Sequence, residues 1–384
     1  MFMPFYFPSK QAPRVVVVGG GYAGLAALVT LREQRPDADI TLIDPRDHHV
    51  KITHLHETFR RPLSSMSLSF GRLAQRFDIR HVRAALAYEP AALQQWAQEG
   101  WLSAEGQAVE FDYLIWATGA GSRPIEKSPR VLDLSDFMET PGADLLKQGM
   151  AASGSDAPII SVVGSGATGI QFLFEIDHYL REQGLPWRLR LVDAGDAPLR
   201  QFNPKLGRYV VSRLQESDIE YLPNHHFLGQ GEDHIELENH DTGVITLLPS
   251  SLSLMFVGKS PEHRLETNVF GQVLLAGKTQ PKLFAAGDCS VFKMPGSNAL
   301  SAQTALRKGR LVARNVLRHG SQFKLLEPWV RPDLGYVIGM GPRDAVGWVA
   351  LEGNIIAGQP AVLLKEVVEA QYDLLLAGLD TYFL

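Results

Sequence analysis

The sequence predicts an α/β protein made of two Rossmann-like, doubly wound domains followed by a C-terminal extension of strands and a helix. Two observations predict this fold class. The stretch "VVVVGGGYAGL" at residues 15–25 has a near copy, "SVVGSGATGI", at residues 161–170. In both places a β-branched strand runs into a G-x-G-x-x-G turn and a helix, and a second strand ending in an acid follows, which is the order of a Rossmann βαβ unit.

Length and composition are those of an ordinary globular chain. The 384 residues are 45% hydrophobic and 21% charged, enough for two or three domains with their own cores. The net charge of -5 gives no basic surplus, so we expect no nucleic-acid partner. Cys289 is the single cysteine, so a disulfide framework is excluded, and a reducing, cytoplasmic location is the simpler expectation.

The longest apolar run, residues 15–31, superficially resembles a signal sequence or a membrane span. It is short for a bilayer, and three consecutive glycines would weaken a spanning helix. The first glycine turn explains the run better. Val15–Val18 predict a buried strand; Gly19 permits a tight turn, Gly21 lets a pyrophosphate approach the backbone, and Gly24 lets the new helix pack on the strand.

The acid expected by this motif follows at the right distance. Asp44 ends the strand "DITLIDP", 20 residues after Gly24, where it can hold a ribose hydroxyl. The alternative is a purely structural glycine turn. The ordered succession of strand, glycines, helix, strand and acid favours a dinucleotide site.

The second turn repeats the pattern with Gly164, Gly166 and Gly169, and Asp193 ends the next strand, 24 residues after Gly169. The alternative is a degenerate duplicate kept for packing, but this copy also retains all three glycines and the acid. Two sites therefore predict two dinucleotides.

A nicotinamide and a flavin are the natural pair, because hydride can pass between their rings. Asp193 would accept from a free ribose hydroxyl and repel a 2'-phosphate, so NADH is preferred over NADPH. Arg190 and Arg200 lie nearby in the sequence and leave NADPH open as a second donor.

Two further motifs make the sequence resemble the flavoproteins with two dinucleotide-binding domains. "FDYLIWATGA" at 111–120, with Thr118 and Gly119, is similar to the segment that closes the first FAD portion of that family. "PKLFAAGDCS" at 281–290 is similar to the second FAD segment. The resemblance implies that Asp288 contacts the pyrophosphate or ribityl part of FAD.

The resemblance also implies a nested layout. An FAD domain would comprise residues 14–123 and 262–320, an NADH domain residues 124–261, and an extension residues 321–384 that packs, dimerises or contacts a membrane surface. The candidate cofactor-binding residues are Gly19, Gly21, Ala23, Gly24, Asp44, Thr118, Gly119, Gly164, Gly166, Thr168, Gly169, Asp193, Asp288 and Ala302.

Within this superfamily, the single cysteine excludes some of the enzyme classes. Disulfide reductases need a cysteine pair beside the flavin, and the helix over 22–33 has no cysteine. Sulfide:quinone reductases need several cysteines, and this chain has one. The chain most resembles type II NADH:quinone oxidoreductases and relatives of apoptosis-inducing factor. The segments that carry this likeness are "SAQTALRKGRLVARNV" at 301–316, "DLGYVIGMGPRDAVGWV" at 333–349, and the end of the chain.

The flavin-side helix of those enzymes usually reads A-Q-x-A-x-Q. Here Gln303 matches and Arg307 replaces the second glutamine, one turn away on the same face. These two residues are the candidate catalytic pair, and a quinone or another small acceptor is the expected partner. The alternative is that Arg307 belongs to a solvated basic face with Lys308, Arg310 and Arg314. Gln171 stands where the family often has a glutamate.

The C-terminal stretch from Ala361 predicts an amphipathic helix with charged and apolar faces. Its charges, Glu366, Glu369, Asp373 and Asp380 against Lys365, are unfavourable for anionic lipid. Packing on the FAD domain or a homodimer contact is therefore favoured. Peripheral attachment to the inner face of a membrane stays open through Tyr382, Phe383 and Leu384.

His48, His49, His54 and His56 cluster after the first acid. Their spacing matches no common zinc pattern and no cysteine accompanies them, so we expect no metal. A histidine or Lys51 near the flavin is one interpretation. Histidines satisfied by backbone hydrogen bonds are the other.

The sequence thus predicts an FAD-dependent oxidoreductase that takes hydride from NADH and passes two electrons to a quinone-like acceptor. A reductase of a small electron-transfer protein, docked on Lys308, Arg310 and Arg314, is an alternative. A redox sensor that binds NADH and flavin without turnover is another.

Overall fold

A computed structural model describes residues 8–87, 89–153, 158–260, 264–293, 295–379 and 381–382. Asp380, Phe383 and Leu384 of the predicted C-terminal contact therefore lie outside the described residues. The helices are α1 Tyr22–Gln34, α2 Phe70–Phe77, α3 Pro90–Glu99, α4 Leu134–Glu139, α5 Gly142–Ser153, α6 Ala167–Gln183, α7 Pro204–Glu216, α8 Ala302–His319 and α9 Gln359–Leu376. Short 3-10 helices span Ile52–Phe59 and Leu63–Met66.

An eight-stranded sheet forms the first layered unit. Its strands, in spatial order, are Ser290–Phe292, Leu265–Thr267, Gln272–Leu275, Lys278–Ala285, Tyr113–Trp116, Arg14–Val18, Asp39–Ile43 and Arg80–Val82. Arg14–Val18 lies between parallel partners on both sides, which explains its fully apolar valine run.

A five-stranded parallel sheet forms the second unit. Its spatial order is Val131–Asp133, Leu252–Met255, Ile159–Val163, Arg188–Val192 and Glu220–Leu222. An antiparallel sheet of His225–Gln230, His234–Asn239 and Ile245–Pro249 adjoins it. Two doubly wound units confirm the predicted fold class. The domain boundaries stay a prediction, and the one at residue 262 falls outside the described residues.

The connection between the units is a two-stranded ladder of Gly121–Ser122 and Lys259–Ser260. Other small ladders pair His48–Val50 with Ser67–Ser69 and Trp101–Ala104 with Gln107–Glu110.

Helix α1 is buried between the first sheet and α8. The close approach of α1 and α8 requires a glycine at position 309, because a Cβ on Gly309 would lie 2.1 Å from the Ala23 carbonyl oxygen. Ala23 itself is buried at this contact. The two glycine-bearing helices are therefore fixed against each other along the edge of the first glycine turn.

The C-terminal extension is a three-stranded antiparallel sheet followed by α9. The strands are Gly335–Gly339, Ala345–Val349 and Leu351–Ala357. The predicted separation of faces on α9 is wrong in one respect. Lys365 and Glu369 point inward, with side chains only 13% and 18% exposed, whereas Leu363 and Val367 are 66% and 59% exposed. Lys365 pairs with Glu57 and Glu369 with His54, both of the 3-10 helix Ile52–Phe59, and these pairs orient the charged face of α9 inward.

Among the described residues, no helix is both long enough and apolar enough to cross a bilayer. The predicted surface attachment and homodimer stay predictions.

Candidate functional site

The first glycine turn has the geometry of a phosphate cradle. Gly19 has φ +103°, and a Cβ there would lie 2.4 Å from the Ala117 carbonyl oxygen. A Cβ on Gly24 would lie 1.8 Å from the Gly19 carbonyl oxygen. Around Gly21 the space is open, with no described atom within 4 Å of a Cβ. The turn is therefore closed toward the protein at two glycines and open at the one where a ligand is expected.

Asp44 lies beneath this turn and is buried. The Gly20 N–H donates to its Oδ2 over 2.7 Å, and Arg46 Nε donates to its Oδ1 over 3.1 Å. Burial alone would raise the pKa of Asp44, but Arg46 and the Gly20 amide together hold it below its usual value. Asp44 is thus an anion fixed at the edge of the cradle, with the chemistry a ribose hydroxyl requires.

A buried hydrogen-bond chain joins the turn to α9. His49 Nδ1 lies 3.0 Å from the Gly20 carbonyl oxygen, and its Nε2 lies 2.9 Å from the Tyr372 hydroxyl. Since the carbonyl only accepts, Nδ1 carries the proton and the tyrosine donates to Nε2. Burial lowers the pKa of His49 to about 4, so the ring is neutral near pH 7.

The second turn repeats the backbone geometry. Gly164 has φ +105°, a Cβ there would meet the Phe256 carbonyl oxygen at 2.4 Å, and one on Gly169 would meet the Gly164 oxygen at 1.9 Å. At Gly166 the nearest described atom is the Gln201 side chain, 4.0 Å away. Thr168, half-buried, follows in the first turn of α6.

Asp193 reaches back to this second turn. Ser165 N–H donates to its Oδ2 over 2.5 Å, and Gly195 N–H to its Oδ1 over 2.7 Å. Of the two arginines weighed above, Arg190 is buried in an ion pair with Glu220. Arg200 packs over Gly195, two residues beyond Asp193. Only Arg200 therefore lies where it bears on the choice between NADH and NADPH.

Both turns present unblocked helix N-termini. Gly21 caps α1 and Gly166 caps α6, neither has a side-chain cap, and neither first turn contains an acid. The free N–H groups and the positive end of each helix dipole are available to phosphate. The residues present thus fit two pyrophosphate-bearing cofactors.

The remaining predicted FAD contacts lie at the same end of the first sheet. Gly119 has φ +81° and open space around its Cβ position, and Thr118 is exposed. Asp288 pairs with Lys259, which arrives from the inter-domain ladder. Next to Asp288, the Cys289 thiol is buried 3.2 Å from the Ala286 carbonyl oxygen, and burial raises its pKa. Cys289 is therefore a packing residue rather than a thiolate nucleophile.

A cavity of about 390 Å³ lies where α1, α8, α9 and the C-terminal sheet meet. Gln303 and Arg307, the two residues predicted on the acceptor side, both line it, and so does Ala302, a predicted cofactor contact. Gln171 of α6 reaches it from the second unit. Its other linings include Tyr22, Thr53, His54, Leu306, Tyr336, Val337, Trp348, Leu364, Lys365, Val368, Glu369 and Tyr372.

Three buried donors on lining residues find no hydrogen-bond partner among the described residues. They are Arg307 Nε, Trp348 Nε1 and Thr381 Oγ1. A mostly apolar wall with a few unsatisfied donors suits a flat apolar molecule that carries oxygen acceptors.

The predicted basic face of α8 is wrong. Lys308, Arg310 and Arg314 are 1%, 6% and 8% exposed. Lys308 donates to the Ser290 carbonyl oxygen, and Arg314 pairs with Glu327. These cations make buried hydrogen bonds and ion pairs within the protein, so they form neither a solvated face nor a docking patch for an acidic partner.

The four histidines after Asp44 diverge. His48 is partly exposed beside Asp47, His49 faces the glycine turn, and His56 is buried against Phe172. His54 alone lines the cavity, in an ion-pair network with Glu57, Lys365 and Glu369. Lys51 pairs with Asp373 of α9. Sequence reasoning missed the network, because its members are about 310 residues apart in the chain.

Comparison with known proteins decides the family. The pyridine nucleotide-disulphide oxidoreductase family matches residues 13–309, which include both glycine turns and Asp288. The chain belongs to this family. The membership confirms the predicted class, an FAD-dependent NADH oxidoreductase, and its two cofactors.

Among curated proteins, the chain is 25% identical to a type II NADH:quinone oxidoreductase of Staphylococcus aureus (strain NCTC 8325 / PS 47), covering 98% of both chains. Among solved structures, NDH2 from Plasmodium falciparum in complex with NADH has a TM-score of 0.77 at 12% identity, covering 97% of this chain and 99% of that one. The sulfide:quinone oxidoreductase of Aquifex aeolicus has a TM-score of 0.76 at 16% identity, covering 97% and 93%. These two likenesses concern the fold alone.

Proposed function

We propose that this family member oxidises NADH through bound FAD and delivers the two electrons to a quinone in the cavity between α8 and α9. The observation that carries the proposal is that cavity. It has the predicted Gln303 and Arg307 on one wall, apolar side chains around them, and buried donors without partners. The likeness to a type II NADH:quinone oxidoreductase over nearly the whole chain supports the same acceptor class.

Each cofactor has its own residues in this proposal. FAD is held by the Gly19–Gly24 turn with Asp44, and by Thr118, Gly119 and Asp288. NADH is held by the Gly164–Gly169 turn with Asp193. Bound FAD supplies the chemistry of accepting a hydride and releasing an electron pair.

On the acceptor side the chain's own residues bind and orient. Gln303 and Arg307 stand one turn apart on α8 and donate to quinone oxygens, and the apolar lining keeps water from the ring. The N-terminus of α8 faces the same cavity. At this end of α8, the Thr304 N–H donates to the Ser301 hydroxyl over 3.2 Å. The other free N–H groups of the first turn of α8 favour negative charge in the cavity.

The test is anaerobic. NADH should bleach the flavin of the purified protein rapidly, and a soluble quinone should restore the colour. A long-lived coloured complex that ignores quinone would instead support the redox sensor.

Arg307→Leu should raise KM for quinone about tenfold, because the variant loses one hydrogen bond from a charged group to the quinone. Bleaching of the flavin by NADH should be unchanged. Arg343→Leu is the matched control, since Arg343 is exposed and does not line the cavity. Quinone turnover that is equal in both variants would contradict the assigned acceptor site.

The alternative, reduction of a small electron-transfer protein, lacks the docking patch predicted for it, because Lys308, Arg310 and Arg314 are buried. Ferredoxin reduction that falls steeply with added salt, without quinone turnover, would revive it.

A further inference from the structure

One wall of the cavity carries a compact set of ionisable groups that the binding roles above do not use. His54 and Glu57 come from the 3-10 helix Ile52–Phe59, and Lys365 and Glu369 come from α9. His54, Lys365 and Glu369 line the cavity, and Glu57 lies behind them. The set therefore spans from the acceptor cavity into the protein.

Glu57 is the fixed anion of the set. Its side chain is 1% exposed, and four cationic or ionisable groups surround its carboxylate: Lys365 at 3.2 Å, Arg61 at 3.3 Å, Arg60 at 3.4 Å and His54 at 3.5 Å. Burial opposes the charge, but these neighbours hold the pKa of Glu57 far below its usual value. Glu57 therefore stays ionised and accepts hydrogen bonds only.

Glu369 has the opposite character. It faces the apolar cavity, and burial raises its pKa although His54 and Lys365 act against the rise. Its carboxylate lies 2.6 Å from Lys365 Nζ. Lys365 thus lies beside two carboxylates with different pKa values. Glu57 is kept charged, whereas the environment of Glu369 favours the neutral acid. Such a difference lets one carboxylate serve as a fixed anion and the other as a proton donor.

His54 connects the two carboxylates. Its Nδ1 lies 3.5 Å from Glu57 Oε1, and its Nε2 lies 3.5 Å from Glu369 Oε1. Because Glu57 stays ionised, it orients the Nδ1–H, and Nε2 is directed at Glu369. The ring is 14% exposed, so it links Glu369 with solvent.

We propose that Glu369 donates a proton to the quinone bound in this cavity and that His54 returns a proton to Glu369 from solvent. The inference rests on the proposed quinone reduction. Reducing a quinone to a hydroquinone takes two electrons and two protons. NADH supplies both electrons and one proton as hydride, and solvent supplies the second proton. Glu369 passes on that second proton. Its O–H bond breaks as an O–H bond forms at a quinone oxygen, and Lys365 holds the carboxylate left behind. His54 then takes a proton from solvent at Nε2, with Nδ1–H still directed at Glu57, and passes the Nε2 proton to Glu369.

The experiment compares two acceptors in the FAD-loaded protein. Ferricyanide takes one electron and no proton, whereas a soluble quinone takes both. Glu369→Gln should lower kcat with quinone about a hundredfold, the usual contribution of a positioned general acid, and leave ferricyanide turnover and flavin bleaching by NADH unchanged. The remaining quinone turnover should show a larger solvent deuterium isotope effect.

Glu366→Gln is the matched control, because Glu366 is an exposed carboxylate on the same helix and does not line the cavity. It should behave as wild type with both acceptors. His54→Gln should lower quinone turnover less than Glu369→Gln does and should also spare ferricyanide.

The outcomes separate this inference from the proposed function. Wild-type protein that bleaches with NADH but never reduces a quinone overturns both. Quinone turnover in the wild type that Glu369→Gln leaves unchanged overturns only the proton donor. Equal loss with quinone and ferricyanide would show a structural role for Glu369, and it overturns the inference as well.

Discussion

The two glycine turns have nearly the same backbone geometry, but their surroundings differ. In the first, the Gly20 carbonyl accepts from the His49 side chain, which is tied to Tyr372 of α9. In the second, the matching Ser165 carbonyl accepts from the Leu199 backbone N–H over 3.0 Å. The first turn is fixed by side chains distant in the sequence, whereas the second is fixed by a neighbouring loop.

Burial follows the same division. At two matched positions the first turn is the more buried: Gly19 and Asp44 are buried, whereas Gly164 and Asp193 are half-exposed. From this difference we infer that the first turn keeps its cofactor through turnover and the second exchanges its dinucleotide with solvent. Variants in each turn test this difference between the two sites.

Gly21→Val should give a colourless protein. Gly21 has φ −82° and ψ −170°, which valine adopts without strain, and no described atom lies within 4 Å of the new Cβ. The side chain would fill only the space of the FAD pyrophosphate. Visible absorbance after purification measures the loss. Gly353→Val, also in open space, is the control, and a fully yellow Gly21→Val protein would contradict the assignment of this turn.

Gly166→Val should leave the protein yellow but raise KM for NADH at least about tenfold. Gly166 is equally free of strain, at φ −70° and ψ 176°. Steady-state kinetics with ferricyanide measures KM, and retained absorbance is the internal control. Loss of flavin in this variant would break the distinction between the two turns.

Asp193→Ser should raise the NADPH to NADH ratio of kcat/KM about tenfold, because it removes the carboxylate that repels a 2'-phosphate. Arg200 is the cation positioned to bind that phosphate, so Asp193→Ser/Arg200→Leu should lose the gain. A ratio unchanged by Asp193→Ser would show that Asp193 does not face the nucleotide.

The first turn should also be the more sensitive to acid. The pKa of His49 falls to about 4 in the folded protein, from about 6.5 in the unfolded chain. The folded state therefore binds fewer protons between these values, and stability drops as pH falls through that window. We expect about 2 kcal/mol less unfolding free energy at pH 5 than at pH 7 from this group. Urea unfolding of wild type and His49→Gln measures it.

His234→Gln is the control, at a histidine whose side chain is 43% exposed. FAD release should follow the same pH window, whereas NADH affinity should not. Identical pH dependence in wild type and His49→Gln would contradict the role of the His49 chain.

Both turns could be predicted from sequence because the information is local. Gly19 and Gly24 act through backbone geometry, and the Asp44 carboxylate accepts from the same turn, all within about 30 residues; the same holds for Gly164, Gly169 and Asp193. Gln303 and Arg307 could be placed together because one helix carries both.

The network around Glu369 could not be predicted from local patterns. His54 meets α9 only after the whole fold has formed, and neither segment has a pattern that signals the other. The same limit explains the error at Lys308 and Arg314. From the sequence alone, a row of cations on a helix predicts a solvated face. The partners that bury these cations, the Ser290 carbonyl and the Glu327 carboxylate, are known only from the structure.

The most direct test is a single anaerobic mixing experiment with purified protein. We expect a tightly bound flavin that survives gel filtration, loses its colour on mixing with NADH, and regains it when a soluble quinone is added. Protein that carries no flavin and takes up none on reconstitution, or a flavin that NADH cannot bleach, would contradict the proposed transfer of electrons from NADH through FAD to a quinone.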